Sequence, residues 1–486
     1  MSGRVKVGVV LAGIVAVGLI ARIAGFVGAS FAWGSDESRF IALVQNMSNG
    51  FFPTGPSEWF GTRLFMLAPP AGIFRLAGSG DYQVAVWPTI WSLVGIVAAY
   101  LLGRDLASNR VGLTAAAVVA LTPIETRLGT VLRPDAIVPA LIALAVWCGV
   151  RAGRPDASRW WAFGAGLSLG AGWSVRENAL ILAPIVLVAG WAGLRRGILP
   201  AIGGLAVMPA VAAVVFAIGS GTPLSPLVGA GTEGVFRNPL QAWSWDDSYT
   251  SMVIDGAFDR KSLVFLAGPV LLVAVVLLVA RRDRRAFIPG LWFGLAAVYL
   301  EFGTLINLAK PNRYLTLLTI PAALLIALAV DGRLAWIAPA VAAVAAIWVL
   351  WTVPARDLRG DDVALFARVS DRLSTLPEGP VITESYTWLA KLDTYRARHR
   401  LTIPKVEDPE FVSPERAREL RMMDPLPDPA RARGGYVITG PVHPRTGWPR
   451  NWNVFLDHYR RVVPPTSRLT LAADLGRARI WRWEAP

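Results

Sequence analysis

Up to Val353 the chain alternates long apolar runs with short polar gaps, and beyond Pro354 that alternation stops. The first run, Val5 to Val27, has about the ~20 residues that a helix needs to cross a bilayer. Its basic start also suits a cleaved signal peptide, but its length favours a membrane anchor. Further runs are Val84 to Leu102, Val111 to Thr122, Ala136 to Val150, Trp160 to Trp173, Ala179 to Leu194, Ile198 to Ile218, Leu263 to Ala280, Phe287 to Ile306, Leu315 to Val330 and Leu334 to Val353. Together they predict about eleven transmembrane helices, the shorter runs being the weakest.

Two stretches in the first long gap have a different period. In "DESRFIALVQNM" the apolar residues Phe40, Leu43, Val44 and Met47 recur at helical spacing, which predicts an amphipathic helix lying at the membrane interface. "RLFMLAPPAGIFRLAG" reads as a second such helix with a proline break. After Pro354 the chain becomes charged and turn-rich. Apolar stretches such as "PVITES", "GGYVITGP" and "LTLAADLGRARIWRW" are spaced by helical patterns such as "DDVALFARVSDRLSTL". The predicted fold is therefore a polytopic α-helical membrane domain, residues 1–353, followed by a soluble extracytoplasmic α/β domain, residues 354–486.

Composition agrees with that division. Of 486 residues, 54% are hydrophobic and 17% charged, and the mean hydropathy is +0.47, which excludes a water-soluble globule. The formal charge of +14 would suit a nucleic-acid binder, but its position argues otherwise. Arg4, Lys6, Arg104, Arg110, Arg151, Arg154, Arg159, Arg195, Arg196, the "RRDRR" run and Arg333 all fall in alternate gaps between the spans. That is the positive-inside pattern, so this side is assigned to the cytoplasm and no nucleic-acid partner is expected. Cys148, the single cysteine, lies inside an apolar run and offers neither a disulfide framework nor a cysteine-based metal site.

The opposite, extracytoplasmic side then holds the acidic and aromatic clusters. Taken locally, "SDESRF" can be a cap, with Ser35 at the N-terminus of a helix and Asp36 and Glu37 in its first turn. On the same side lie Glu125 and Arg127, Arg133 and Asp135 after the third span, Arg176 and Glu177 between the fifth and sixth, and Lys310, Arg313 and Tyr314 before the tenth. Charges near membrane depth are costly, so a ring of them at one end of a bundle points to a polar cavity. Arg22, in the outer part of the first span, reads as a side chain that snorkels to the interface, the alternative being a place in that cavity. Sugar transfer from a lipid phosphate fits such a ring. The departing phosphate is a stable anion that needs cations and no general acid, and one carboxylate can deprotonate the acceptor hydroxyl.

"SDESRF", "RLFMLAPPAGIFRLAG", "LTPIETRLGTVLRPDAIVPALIALAVW", "VRENALILAPIVL" and "KPNRYLTLLTIPAALLIAL", in that order, resemble the GT-C glycosyltransferases of the dolichyl-phosphate-mannose protein mannosyltransferase and aminoarabinose transferase type. The resemblance runs from Arg4 to Val353. It implies a polyprenyl-phosphate-linked sugar as donor, inverting transfer to a glycan, lipid or protein acceptor, and catalysis on the extracytoplasmic face of a bacterial inner membrane. Asp36 falls on the family's first-loop catalytic position, with Glu37 beside it, and Asp135 on the second acidic position. Arg313 and Tyr314 resemble the pair that meets the carrier phosphate. Arg63 stands near a family lysine, although five residues separate it from Pro69 and Pro70. Arg133, Arg176, Glu177 and Lys310 complete the expected substrate-binding set. No cofactor is expected and no metal is indicated. Two alternatives remain open on the sequence: a flippase for lipid-linked sugars, and a metal-dependent oligosaccharyl transferase using Asp36, Glu37 and Asp135 as ligands.

Overall fold

The computed structural model describes residues 3–26, parts of 40–50, residues 63–220 apart from 196, residues 267–300 and 312–331, scattered positions between 337 and 377, and four strands between 381 and 484. The chain is mostly helical. Helix α1 (Gly3–Ala24) is followed by α2 (Leu64–Ala77), α3 (Asp81–Leu106), α4 (Asn109–Leu121), the short α5 (Pro123–Leu128), α6 (Pro134–Ala152) and α7 (Trp160–Trp173). A 3-10 segment, Glu177–Leu182, then runs into α8 (Ala183–Leu194), and α9 (Ile198–Ser220), α10 (Ala267–Ala280), α11 (Phe287–Val298) and α12 (Thr316–Ala329) complete the described helices.

Among the described residues four helical spans, Val7–Gly25, Tyr82–Leu106, Pro134–Ala152 and Ile198–Ile218, are long and apolar enough to cross a membrane. Shorter apolar helices accompany them, and the protein is an integral membrane protein. Large apolar side chains stand open on its outside, such as Leu199 and Ile218 on α9 and Val279 on α10, which is the surface that lipid covers. Helix α12 is the opposite case. Every residue from Thr316 to Ala329 is buried, so this largely apolar helix is the centre of the bundle, packed against α4, α10 and α11.

Glycines set the closest approaches. A Cβ at Gly166 or Gly170 on α7 would strike the Ala201 or Leu205 carbonyl on α9, and the two helices pack backbone to backbone along that seam. Gly103 and Gly112 do the same where α3 meets α4.

Three expectations change. Helix α2 contains both Pro69 and Pro70 without a break. Pro69 cannot donate to the Phe65 carbonyl, and that carbonyl accepts the Trp87 indole N–H of α3 at 3.0 Å instead. The first amphipathic segment does not lie on the interface through its apolar face. Phe40, Ile41, Leu43, Val44 and Met47 are helical and buried in the protein core. The run expected as one span from Ala179 opens with 3-10 geometry, and Pro184 sits in the first turn of the α-helix proper, where a missing N–H costs nothing.

In the tail, β1 (Val381–Thr383), β2 (Gly434–Thr439), β3 (Arg468–Asp474) and β4 (Arg479–Glu484) form one sheet in the order β1-β2-β4-β3. The β1–β2 pair is parallel and the other pairs are antiparallel. Gly476, at φ 78°, supplies the left-handed residue of the β3–β4 turn. These strands coincide with the three apolar stretches singled out in the tail.

Charges gather at the two ends of α6. Its last turn holds Arg151 and its first turn Asp135, about 25 Å apart at 1.5 Å per residue. At the Arg151 end the buried Asp105 carboxylate meets Arg104, Arg151 and Arg154 and accepts the Trp147 indole N–H at 2.8 Å. In the turn between α10 and α11, outside the spans, Arg285 pairs with Asp283 at 2.7 Å and with Asp331 at 3.2 Å. The Asp135 end is the one on which the expected site residues fall.

Candidate functional site

Two prolines build the Asp135 end. Thr122 and Arg133 are both extended, as residues preceding proline are driven to be. Each is followed by a proline that opens a helix: Pro123 for α5 and Pro134 for α6. Glu125 and Asp135 therefore both occupy first turns, where the helix dipole favours negative charge. The turn between the two helices holds Arg133, which is buried; among the described residues neither its Nε nor the Thr130 hydroxyl has a hydrogen-bond partner. A buried guanidinium nitrogen without a partner is expensive, and an anionic ligand would satisfy it.

Arg176 reaches this turn from the end of α7. Its Nη1 lies 3.4 Å from the Asp135 Oδ1, and its guanidinium carbon stands 4.1 Å from the centre of the Tyr314 ring. Burial disfavours the Arg176 charge, but Asp135 and Tyr314 outweigh it and raise the pKa above the ordinary arginine value. The neighbouring Ser174 Oγ accepts the Phe65 backbone N–H at 3.3 Å, which brings the start of α2 alongside. Arg63, immediately before α2, is buried with its guanidinium over the Phe40 ring at 5.4 Å. Phe65, Trp87 and Trp91 form a cluster of tilted and edge-on rings beside it.

Below this surface lies a second polar group that sequence reasoning did not assemble. Thr319 of α12 donates to the Glu125 carboxylate at 2.6 Å. Burial pushes the Glu125 carboxyl above the usual carboxylate range, while Thr319, Arg22 and Ser92 pull it back. Arg22 does not snorkel. It is fully buried, with Nε donating to Ser92 Oγ at 2.8 Å and Nη1 to the carbonyls of Gly18 and Ala120 at 3.0 and 3.1 Å. The signals were isolated hydroxyl residues inside apolar runs, Ser92 beside Thr89 in "PTIWSLVG" and Thr319 beside Thr316 in "LTLLTIPA".

Of the expected site residues, Asp135, Arg176 and Tyr314 are brought into contact, and Arg133 and Arg63 lie on the elements that adjoin them. Glu177 opens the 3-10 segment directly after Arg176, and Arg313 lies in the 3-10 turn (Asn312–Leu315) that leads into α12. Asp36, Glu37 and Lys310 lie outside the described residues. Among the described residues no three His, Cys, Asp or Glu side chains converge as metal ligands. What is assembled is a set of arginine and aromatic side chains about the buried Asp135 carboxylate, with a second buried carboxyl, Glu125, on the preceding short helix.

The family model for dolichyl-phosphate-mannose-protein mannosyltransferase matches residues 70–218, a stretch that includes Glu125, Arg133, Asp135 and Arg176. No curated protein matches the sequence. Among solved structures, ArnT from Cupriavidus metallidurans in the apo state superposes with a TM-score of 0.66 at 13% identity, covering 99% of this chain and 98% of that one. The same protein bound to undecaprenyl phosphate gives 0.64 at 13% identity, with 97% of each chain covered. The apo oligosaccharyltransferase of Archaeoglobus fulgidus gives 0.50 at 14% identity over 89% of this chain and 69% of that one.

Proposed function

We propose, from the GT-C fold of the protein mannosyltransferase and ArnT type that this chain carries, that it is a glycosyltransferase moving a sugar from a polyprenyl-phosphate carrier to an acceptor hydroxyl on the extracytoplasmic face. The observation that carries the reading is the Asp135–Arg176–Tyr314 constellation, which lies at one end of a bundle whose full length superposes on a protein seen with undecaprenyl phosphate. Residues 1–353 are the catalytic domain in this reading, and residues 354–486 a soluble extracytoplasmic domain.

The chemistry follows from the charges. The acceptor oxygen attacks the anomeric carbon from the side opposite the carrier, a new C–O bond forms, and the bond from that carbon to the phosphate oxygen breaks. Its electron pair leaves with the phosphate, so the configuration at the anomeric carbon inverts. Arg133, Arg176 and Arg313, together with Lys310 and Arg63, are assigned to meet the charge that develops on the phosphate, and Tyr314 holds the Arg176 plane by its ring face. Asp36 takes the acceptor proton with Glu37 beside it, and Asp135 orients the reacting groups. Glu177 is assigned to substrate binding.

The experiment is transfer by purified protein from a panel of polyprenyl-phosphate sugars to candidate acceptors, with the anomeric configuration of the product read by NMR. Transfer with inversion is the expected result. Transport of intact lipid-linked sugar without transfer would replace this reading by a flippase.

A further inference from the structure

A charged side chain placed inside an apolar helix is costly, and tying helices together needs none, because well-packed apolar residues of similar volume do that as well or better. Arg22 is such a charge. It is fully buried in α1 and bonded to α3 through Ser92 and to α4 through the Ala120 carbonyl.

What rests on it decides its role. Gly129, the first residue of the turn between α5 and α6, sits directly on the Arg22–Ser92 bond. A Cβ there would come within 2.7 Å of Ser92 Oγ and 3.0 Å of Arg22 Nε. That turn ends at Arg133 and Asp135. Gly25, just past α1, is also packed on α5, where a Cβ would stand 3.1 Å from the Thr126 carbonyl. Glu125, next to Thr126 in the same short helix, accepts from Thr319, and Thr319 belongs to the helix that follows Tyr314. The guanidinium thus lies where three supports of the site meet: the α5–α6 turn, α12, and α1, which leads into "SDESRF".

We propose that Arg22, acting through Ser92 and Glu125, is a positioning residue for sugar transfer: it fixes the turn that presents Arg133 and Asp135 and ties that turn to α12 and Tyr314. The inference rests on the proposed transferase reading. Arg22 touches no substrate, so its loss acts on the alignment of the reacting groups and not on donor affinity. Misplacement of about 1 Å in such groups costs about 10²-fold in rate.

The test compares wild type with Arg22→Lys, Ser92→Ala and the double variant Arg22→Met/Glu125→Gln, each measured for melting temperature, kcat and donor KM. Arg22→Lys keeps the charge but loses the planar fork that serves Ser92 and two carbonyls together. It is expected to melt within a few degrees of wild type, with kcat about 10²-fold lower and KM unchanged. Ser92→Ala is expected to lower kcat in the same way. The double variant removes the buried charge and makes the nearby buried Glu125 side chain permanently neutral, so its melting temperature should be wild-type while kcat stays low. Wild-type kcat in folded Arg22→Lys or Ser92→Ala, recovery of kcat with the melt in the double variant, or a loss that falls on KM would each overturn the proposal. Should Arg22→Lys fail to fold, Ser92→Ala and the double variant decide. A wild-type protein that transfers from no donor would instead sink the transferase reading itself.

Discussion

The Arg176 guanidinium lies face-on to Tyr314, 4.1 Å from the ring centre, while one of its nitrogens stays 3.4 Å from Asp135. A guanidinium has five N–H donors. The contact to the Asp135 carboxylate and the ring face of Tyr314 together fix the orientation of the cation. A phosphate arriving beside Arg133 and Arg176 would meet donors already held in one plane, with little ordering left to do on binding.

If the ring face of Tyr314 is what matters, Tyr314→Phe should keep donor binding close to wild type. Tyr314→Leu should raise the donor KM by about tenfold, since a desolvated cation–π contact is worth up to about 2 kcal/mol. Steady-state kinetics on both variants checks this, and equal losses would assign the effect to the hydroxyl.

The Phe65 carbonyl released by Pro69 depends on Trp87. Trp87→Phe keeps the aromatic contacts in kind but removes the N–H, leaving a part-buried carbonyl without that donor. The expected cost is about 1 kcal/mol, and Pro69→Ala in the same background should recover most of it by restoring the helical partner. Thermal melts of the two single variants and the double variant measure the coupling.

Glu125 makes a prediction about pH. Its folded pKa is raised by burial, so the folded protein holds that proton more tightly than the unfolded chain does. The stability this contributes is fully present below the unfolded carboxylate value of about 4.3 and is lost as pH rises through the higher folded value. Glu125→Gln is neutral throughout and suffers no such loss. The melting temperature of wild type relative to Glu125→Gln should therefore fall as pH rises across that window. A gap that stays constant across it would show that the carboxyl is not desolvated.

Much of this was legible from period and punctuation. The spans from Val84, Val111, Ala136 and Trp160 match α3, α4, α6 and α7 within a few residues, because apolar runs bounded by arginine or proline leave little choice. Asp135, Arg176 and Tyr314 were each visible as charged or aromatic residues at span ends, but their mutual contact was not, since it joins three elements distant in the chain. Arg22 misled for a physical reason. Reach to the interface can be judged from position along a helix, whereas a partner such as Ser92 or the Ala120 carbonyl is supplied only by packing. The prolines of α2 misled likewise, because the acceptor they leave is met from another helix.

The sidedness expected from the arginine gaps is directly testable. If the Arg151 end faces the cytoplasm, a C-terminal reporter that works only outside the cytoplasm should be active and its cytoplasmic counterpart silent. The reverse result would place the Asp135 end on the wrong side for a lipid-linked donor used extracytoplasmically, and with it the proposed site.

The sharpest test concerns Asp36. Asparagine caps a helix about as well as aspartate and has nearly its size, but it cannot accept the acceptor's proton. If Asp36 is the base, Asp36→Asn should fold normally while turnover at saturating donor falls by about 10²- to 10⁴-fold. If "SDESRF" only starts a helix, the same substitution should leave turnover nearly intact. Glu37→Gln should cost less than Asp36→Asn, because the neighbour adjusts the base and does not replace it. Turnover at saturating donor, measured beside a thermal melt for each variant, separates the cases. A folded Asp36→Asn protein with wild-type turnover would move the search for the base to Glu37 or Asp135, and Asp135→Asn would then carry the loss expected here for Asp36.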